Sequence, residues 1–391
     1  MSALFNISLF LLFYVYIGYG LLVYLLIKFR DALKGNFKAH EKSVTVFTDL
    51  LPVTLIIAAY NEEAILTEKV KNCFELQYPP EKLEIIFVID GSEDKSEEIL
   101  KNYQSVVCLN APVRKGKTAA LNRAVETAKN TILIFSDANT MLNSRALIEI
   151  ASKYDDSKVG GVAGEKKVMK TGFTDSDEGE GLYWKYESML KKLDSSLYTV
   201  VGAAGELFSI RRQLFEKLDE RIILDDFVLS MRINLKGYTV KYAETAYAME
   251  LPSENVQEEL KRKIRISAGA FQAMLLLLPL LNVFRFPMVA FQYISHRVLR
   301  WTICPLSLMT LLASNFFLLH SLFYQLFLGV QICFYLAALI GYTLAKQYKK
   351  PGPFYVPYYF CVMNFALVAG FFRFIQNNQS AIWEKAQRKV S

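Results

Sequence analysis

The stretch Val53-Thr54-Leu55-Ile56-Ile57-Ala58-Ala59-Tyr60-Asn61-Glu62-Glu63 decides the fold. A short, charge-free β-branched run breaks abruptly into polar residues and then into a charged segment of helical spacing, Glu62 to Phe74. The pattern repeats twice. Leu83 to Ile89 ends in Asp90-Gly91-Ser92 before a helical segment, Asp94 to Tyr103, and Thr131 to Ser136 ends in Asp137-Ala138-Asn139. Apolar runs this short are strands of a parallel sheet buried on both faces, and the amphipathic segments between them, including Thr118 to Lys129, are crossovers. In such a sheet the ligand crevice lies at the carboxyl ends of the strands, where all three polar clusters fall.

Outward from this core the texture changes. Leu4 to Ile27 is almost wholly apolar, long enough to cross ~30 Å of hydrocarbon. Lys28, Arg30, Lys34 and Lys38 follow it, a charge order unlike that of a cleaved leader, so the stretch reads as a spanning helix and the next segment is expected in the cytosol by the positive-inside rule. After Leu251, Lys261, Arg262, Lys263 and Arg265 precede the apolar stretch Ala268 to Leu281. That stretch is short for a span and reads as lying in the interface. Trp301 to His320 and Leu322 to Ala345 are each long enough to cross; Lys346, Lys349 and Lys350 mark the cytosolic side. Phe354 to Phe372 is a further candidate that leaves the side of the basic tail open. The expected organisation is a membrane helix over 1–30, a cytosolic domain over 45–260, an amphipathic region over 261–300, membrane helices over 301–376 and a tail over 377–391.

Composition agrees. A chain of 391 residues with 53% hydrophobic and 14% aromatic content is too apolar for an ordinary soluble enzyme. The net charge of +7 is spread along the chain and gathers beside apolar segments, which suits an anionic membrane surface and not nucleic acid. Five cysteines without a CxxC pair and three scattered histidines indicate neither a disulfide framework nor a zinc site.

Each polar cluster admits two readings. Asn61 with Glu62 and Glu63 is either the N-cap and acidic first turn of a helix or a ligand edge. Asp90 is either part of a turn or an acceptor for a base or ribose hydroxyl. Alternate residues of an extended segment share one side, so Asp137 and Asn139 offer two oxygens to one hard cation. Arg114-Lys115-Gly116-Lys117-Thr118 opens a helix with cations, suited to a phosphate or to solvent. Asp225-Asp226 precedes an apolar helical pattern; it is a cap on one reading, and on the other a base for an acceptor hydroxyl.

In this order the pieces resemble the family 2 nucleotide-sugar glycosyltransferases, in particular the membrane branch with the cellulose, hyaluronan and poly-N-acetylglucosamine synthases. The resemblance covers about residues 50 to 300. It implies an α/β catalytic domain of glycosyltransferase A type, Rossmann-like with a mostly parallel sheet and flanking helices, joined to transmembrane α-helices. It implies Tyr60, Glu62 and Asp90 at the nucleotide, with Lys117 and Asp137 at its phosphates, and Asp137 and Asn139 on a Mg2+ or Mn2+ ion. It also implies Asp226 as catalytic base after Asp225, and Arg265 facing the diphosphate. Gly205 and Glu206, in Val201-Gly202-Ala203-Ala204-Gly205-Glu206, fall with Trp184 on the acceptor side.

Two departures bear on function. The metal element reads Asp-Ala-Asn, with one neutral ligand. Where polymerising members carry Gln-x-x-Arg-Trp, this chain has Arg262-Lys263-Ile264-Arg265-Ile266. Arg265 keeps the charge and the missing Trp removes a stacking wall, while Arg300-Trp301, at the start of a span, reads as an interfacial anchor. The expected activity is inverting transfer from a nucleotide diphosphate sugar, expected to be UDP-linked, to a growing polysaccharide or another membrane-associated acceptor in envelope glycan synthesis. The alternatives are single addition to a polyprenyl phosphate or glycolipid, and a silent membrane scaffold. The expected setting is the inner membrane, multi-pass, with a cytosolic catalytic domain, membrane lipid and room for an accessory membrane subunit.

Overall fold

The computed structural model describes residues 1–33, 50–168, 176–250, 256–347 and 351–377. Lys34, Lys38, Lys349, Lys350 and the tail from 378 lie outside the described residues.

Among the described residues, eight strands form one sheet: β1 (Val53–Ala59), β2 (Leu83–Asp90), β3 (Val107–Ala111), β4 (Ile132–Asp137), β5 (Thr140–Leu142), β6 (Val159–Val168), β7 (Leu207–Arg211) and β8 (Thr239–Glu250). Their order is β3-β2-β1-β4-β7-β6-β8-β5. The half containing β3, β2, β1 and β4 is parallel. β7 then runs antiparallel to both β4 and β6, β6 and β8 are parallel, and β5 is antiparallel to β8. Alternation along β1 explains its charge-free composition: Leu55 and Ile57 enter one core layer and Ile56 the other, all with no exposed surface.

The helices are α1 (Ser2–Phe13), α2 (Tyr19–Leu33), α3 (Glu63–Phe74), α4 (Ser96–Lys101), α5 (Lys117–Thr127), α6 (Ala146–Ala151), α7 (Ser176–Leu197), α8 (Asp225–Leu235), α9 (Val256–Leu276), α10 (Pro287–Tyr293), α11 (Leu299–Phe316), α12 (Leu322–Lys346) and α13 (Tyr355–Ile375). Among the described residues, three helical stretches, Ser2–Leu33, Leu322–Lys346 and Gly352–Ile375, are long and apolar enough to cross a membrane. They mark the chain as a membrane protein. The expected span from Trp301 to His320 is not among them. Its helix stops at Phe316 and buries Arg300, Ser307, Ser314 and Asn315, so it spends its length on polar contacts. One of these elements' contacts is with α1, where Ser8 and Thr310 hydroxyls lie 2.7 Å apart.

The stretch read as interfacial belongs to α9 as far as Leu276, and α9 packs lengthwise on α13. A Cβ at Gly370 would lie 2.4 Å from the Ser267 Cβ, and the Phe271 ring is 5.1 Å from Phe371. On the other side of the domain, α7 docks against α2 through Tyr19, Val23 and Leu190, and the buried Tyr19 hydroxyl donates to Asp194. The sheet is thereby tied to the membrane helices through two amphipathic helices, α7 and α9.

Candidate active site

The carboxyl edge of the parallel half carries the first part of the site. Asn61 adopts a left-handed φ of +52° and does not cap α3, whose N-cap is Glu62. Instead its amide donates to Ser92 Oγ and its Oδ1 accepts from the Glu93 amide, both at 2.9 Å. The side chain is spent on joining two strand ends, which corrects the capping reading. Asp90 is buried, and its Oδ2 accepts from the Gly116 amide at 2.6 Å and the Lys115 amide at 3.1 Å. Arg123 adds a contact of 3.3 Å to Oδ1. The carboxylate thus clamps the turn that starts α5. Gly91 is required there: its φ is +66° and a Cβ would sit 2.4 Å from the Arg114 nitrogen. The clamp places the Arg114 guanidinium 3.6 Å from the Tyr60 ring centroid. A small cleft results, lined among others by Tyr60, Glu62, Asp90, Lys117, Asp137 and Asn139.

The second part is a charge cluster. Lys117, the first residue of α5, reaches Asp137 Oδ1 at 2.5 Å. Burial works against its charge, yet Asp137, Asp225 and Asp226 outweigh it and hold the ammonium above its ordinary range. Burial also pushes the Asp137 carboxyl up, with Lys117 opposing. Asp225 and Asp226 open α8, and Asp226 Oδ1 accepts from the Phe227 amide at 2.8 Å. Burial and the neighbouring charge of Asp225 raise Asp226 to about 7, with Lys117 acting the other way. Gly205 permits this crowding, because a Cβ there would lie 2.9 Å from Lys117 Nζ and 3.2 Å from Asp226 Oδ2. Burial lowers Arg265, and the charges of Asp225, Asp226 and Asp137 act against that.

On the far wall, Lys166 joins Glu206 at 2.5 Å and also pairs with Glu250. Trp184 stands over this pair, its ring centroid 5.1 Å from Lys166 Nζ and 5.8 Å from both Lys191 and Lys263.

A cavity of about 1190 Å³ connects these groups. Its wall runs from Lys117, Asp137 and Asp226 past Arg265, Glu206 and Trp184 to Tyr355, Tyr359 and Asn364 of α13. Tyr60, Glu62, Asp90 and Asn139 lie in the adjoining cleft, which shares Lys117 and Asp137 with the cavity. Every residue given a site role by the resemblance therefore borders one of two adjoining hollows, whereas Asn61, Glu63 and Lys115 border neither. Sequence reasoning missed Arg123, which acts through Asp90, and Gly202, where φ is +86° and the Phe227 ring fills the place of a Cβ. Gly202 stood in the quoted stretch Val201 to Glu206, whereas Arg123 carried no signal beyond its place in the helical segment Thr118 to Lys129. Trp301 is also corrected: its ring borders the cavity and is no simple lipid-facing anchor.

As a cation site, Asp137 and Asn139 line the same cleft and present hard oxygens. Among the described residues no group of three or more His, Cys, Asp or Glu side chains is placed to hold a metal. Two protein ligands fit a cation whose coordination is completed by ligand oxygens, and not a closed protein cage.

Residues 54–219 match the model of the family described as glycosyl transferase family 2. Among curated relatives, the poly-beta-1,6-N-acetyl-D-glucosamine synthase of Staphylococcus aureus (strain COL) is 25% identical over 252 residues, covering 61% of this chain and 60% of that protein. The probable glycosyltransferase YdaM of Bacillus subtilis (strain 168) is 24% identical over 284 residues, 65% of each. The chain thus matches less than two thirds of the length of these relatives. Among solved structures, the mannosyltransferase PcManGT from Pyrobaculum calidifontis, in complex with GDP-Man and Mn2+, superposes with a TM-score of 0.70 at 19% identity. It covers 96% of this chain and 100% of that one. The shared architecture is the glycosyltransferase A fold with its appended helices.

Proposed function

We propose, from the premise that residues 54–219 form a family 2 glycosyl transferase domain, that this chain is an inverting glycosyltransferase. It moves a sugar from a nucleotide diphosphate, UDP-linked in our reading, to a growing polysaccharide or another membrane-associated acceptor. The observation that carries the reading is the unbroken cavity from Asp226 to α13. A soluble acceptor needs no route from the reacting carboxylate to apolar helices, whereas a lipid-borne or extruded glycan does.

Tyr60, Glu62 and Asp90 border the nucleoside, and Lys117 and Arg265 face the diphosphate. Asp137 and Asn139 would hold a Mg2+ or Mn2+ ion, which supplies charge neutralisation for the departing diphosphate. Asp226 takes the proton from the acceptor hydroxyl as that oxygen attacks the anomeric carbon from the side opposite the leaving group. Inversion follows from the single displacement. Burial beside Asp225, which raises Asp226 to about 7, gives the carboxylate the basicity the step needs. Gly205 and Glu206 with Trp184 form the acceptor side. The catalytic domain faces the cytosol, anchored in the inner membrane by helices that cross more than once.

A second reading, single addition to a lipid-linked acceptor, is favoured by Ile266 standing where a polymerase has Trp. One experiment addresses both readings. The purified full chain in detergent is offered UDP- and GDP-sugars with lipid-phosphate and oligosaccharide acceptors, with and without Mn2+; diphosphate release is measured and the product sized. Cation-dependent release with a long product supports polymerisation, and a product one sugar longer supports the second reading. No release from any donor would sink both.

A further inference from the structure

Trp301 stands at an unusual junction. Its indole centroid is 5.3 Å from the Phe227 ring, tilted by 56°, and Phe227 follows Asp226 and donates its amide to that carboxylate. From another direction the Arg297 guanidinium lies 5.9 Å from the indole centroid. Arg297 is not mobile in this role. Its Nη1 pairs with the buried Glu187 at 3.0 Å, and its Nε donates to the Val201 carbonyl at 3.3 Å. Val201 leads into the turn that brings Gly205 against Lys117 and Asp226. Glu187 is held in turn by Arg300 and sits 3.5 Å from His296. Burial works against its charge, yet Arg297 and Arg300 outweigh it and keep its carboxyl well below the usual range.

The indole is therefore fixed from two sides, while it remains partly exposed and borders the cavity. A tryptophan needed only for core packing would be covered by its neighbours. A rigid aromatic face beside fixed charged groups suits a ligand with an apolar face and polar edges. A pyranose ring has that form, with axial C–H bonds on its face and hydroxyls at its rim. A bare prenyl phosphate does not.

Resting on the glycosyltransferase reading above, we propose that Trp301 is the stacking surface for the terminal sugar of a saccharide acceptor. It holds the attacking hydroxyl within reach of Asp226. The acceptor class that follows is a sugar-bearing molecule, so a sugar-free lipid phosphate is a poor substrate.

The test uses the full chain in detergent and compares wild type with Trp301→Leu, which keeps apolar packing on Phe227, and Trp301→Phe, which keeps a ring. With an oligosaccharide acceptor, Trp301→Leu should raise the acceptor KM about tenfold or more, and Trp301→Phe should recover most of the loss. The donor KM and the slow acceptor-independent release of diphosphate should not change. An unchanged acceptor KM in Trp301→Leu, or a parallel loss of acceptor-independent release, overturns the proposal. A second readout does not need turnover: the tryptophan emission of wild type minus that of Trp301→Phe reports Trp301 with Trp184 left in place. That difference should respond to a β-1,6-linked N-acetylglucosamine oligosaccharide and not to farnesyl phosphate. A response to farnesyl phosphate alone, or to neither, overturns the proposal. Absence of diphosphate release from wild type bears on the glycosyltransferase reading itself, and the emission titration still decides on the sugar subsite.

Discussion

Lys117 Nζ lies 2.5 Å from Asp137 Oδ1, so the first residue of α5 is bound to the last residue of β4. The pair sets the sign of the whole cluster. The ammonium of Lys117 and the guanidinium of Arg265 face Asp137, Asp225 and Asp226, and the excess of carboxylates leaves room for further positive charge.

Asp226→Asn should lower transfer by roughly a hundredfold or more while nucleotide binding, measured by calorimetry, persists. Asp226 is raised to about 7, so wild-type transfer should climb as pH rises through about 7, the ionised form being the base. The stability effect has its own sign. A carboxyl whose folded-state value lies above its unfolded value favours the fold at low pH and loses that advantage as pH rises through the folded value. The Tm of Asp226→Asn relative to wild type should therefore be higher at pH 8 than at pH 5. Equal differences at both pH values would remove Asp226 from the buried, raised state described here.

Lys117→Met should do more than weaken phosphate binding. Lys117 opposes the rise of both Asp226 and Asp137, so its removal should move the acid limb of the pH–rate profile upward. A profile of unchanged midpoint and lower height would mean that Lys117 acts on the donor alone. Donor affinity should fall about tenfold or more, as expected for loss of a charge-assisted contact.

Gly205→Ala tests crowding at the centre. The added Cβ would lie 2.9 Å from Lys117 Nζ and 3.2 Å from Asp226 Oδ2, and the Gly205 backbone lies outside the left-handed region. The flexible lysine yields, so stability should change by less than about 1 kcal/mol. Catalysis should suffer more: kcat is expected to drop about tenfold, since a displacement of about an ångström in a catalytic group is expensive. A large fall in Tm with proportionate loss of activity would point to simple misfolding.

Gly370→Val addresses the seam between α9 and α13, where a Cβ would meet Ser267 Cβ at 2.4 Å and the Ala268 nitrogen at 2.8 Å. Neither backbone can withdraw, so thermal stability in detergent should fall by about 1–3 kcal/mol. Because Arg265 rides on α9 and borders the cavity, donor affinity should weaken too. Unchanged donor affinity despite a lower Tm would mean that α9 holds Arg265 without help from α13.

The sequence by itself determined the alternation of β1, β2 and β4 with helices and the placing of Asp90, Asp137 and Asn139 at strand ends. It also determined the apolar stretches Ser2–Leu33, Leu322–Lys346 and Gly352–Ile375, each long enough to cross a membrane. These follow from local periodicity and burial, which each segment carries in its own residues. It did not carry the antiparallel insertion of β7 between β4 and β6, because strand pairing between distant segments leaves little mark in either one. Only the tertiary structure decided how the polar residues divide their roles. Asp90, legible as a ligand candidate, turns out to clamp the amides of Lys115 and Gly116. Asn61, legible as a cap, bridges two strand ends. Trp301, legible as an anchor, packs on Phe227 at the edge of the cavity. Hydrogen bonds, Coulomb interactions and desolvation depend on separation in space, and the chain records only separation along itself.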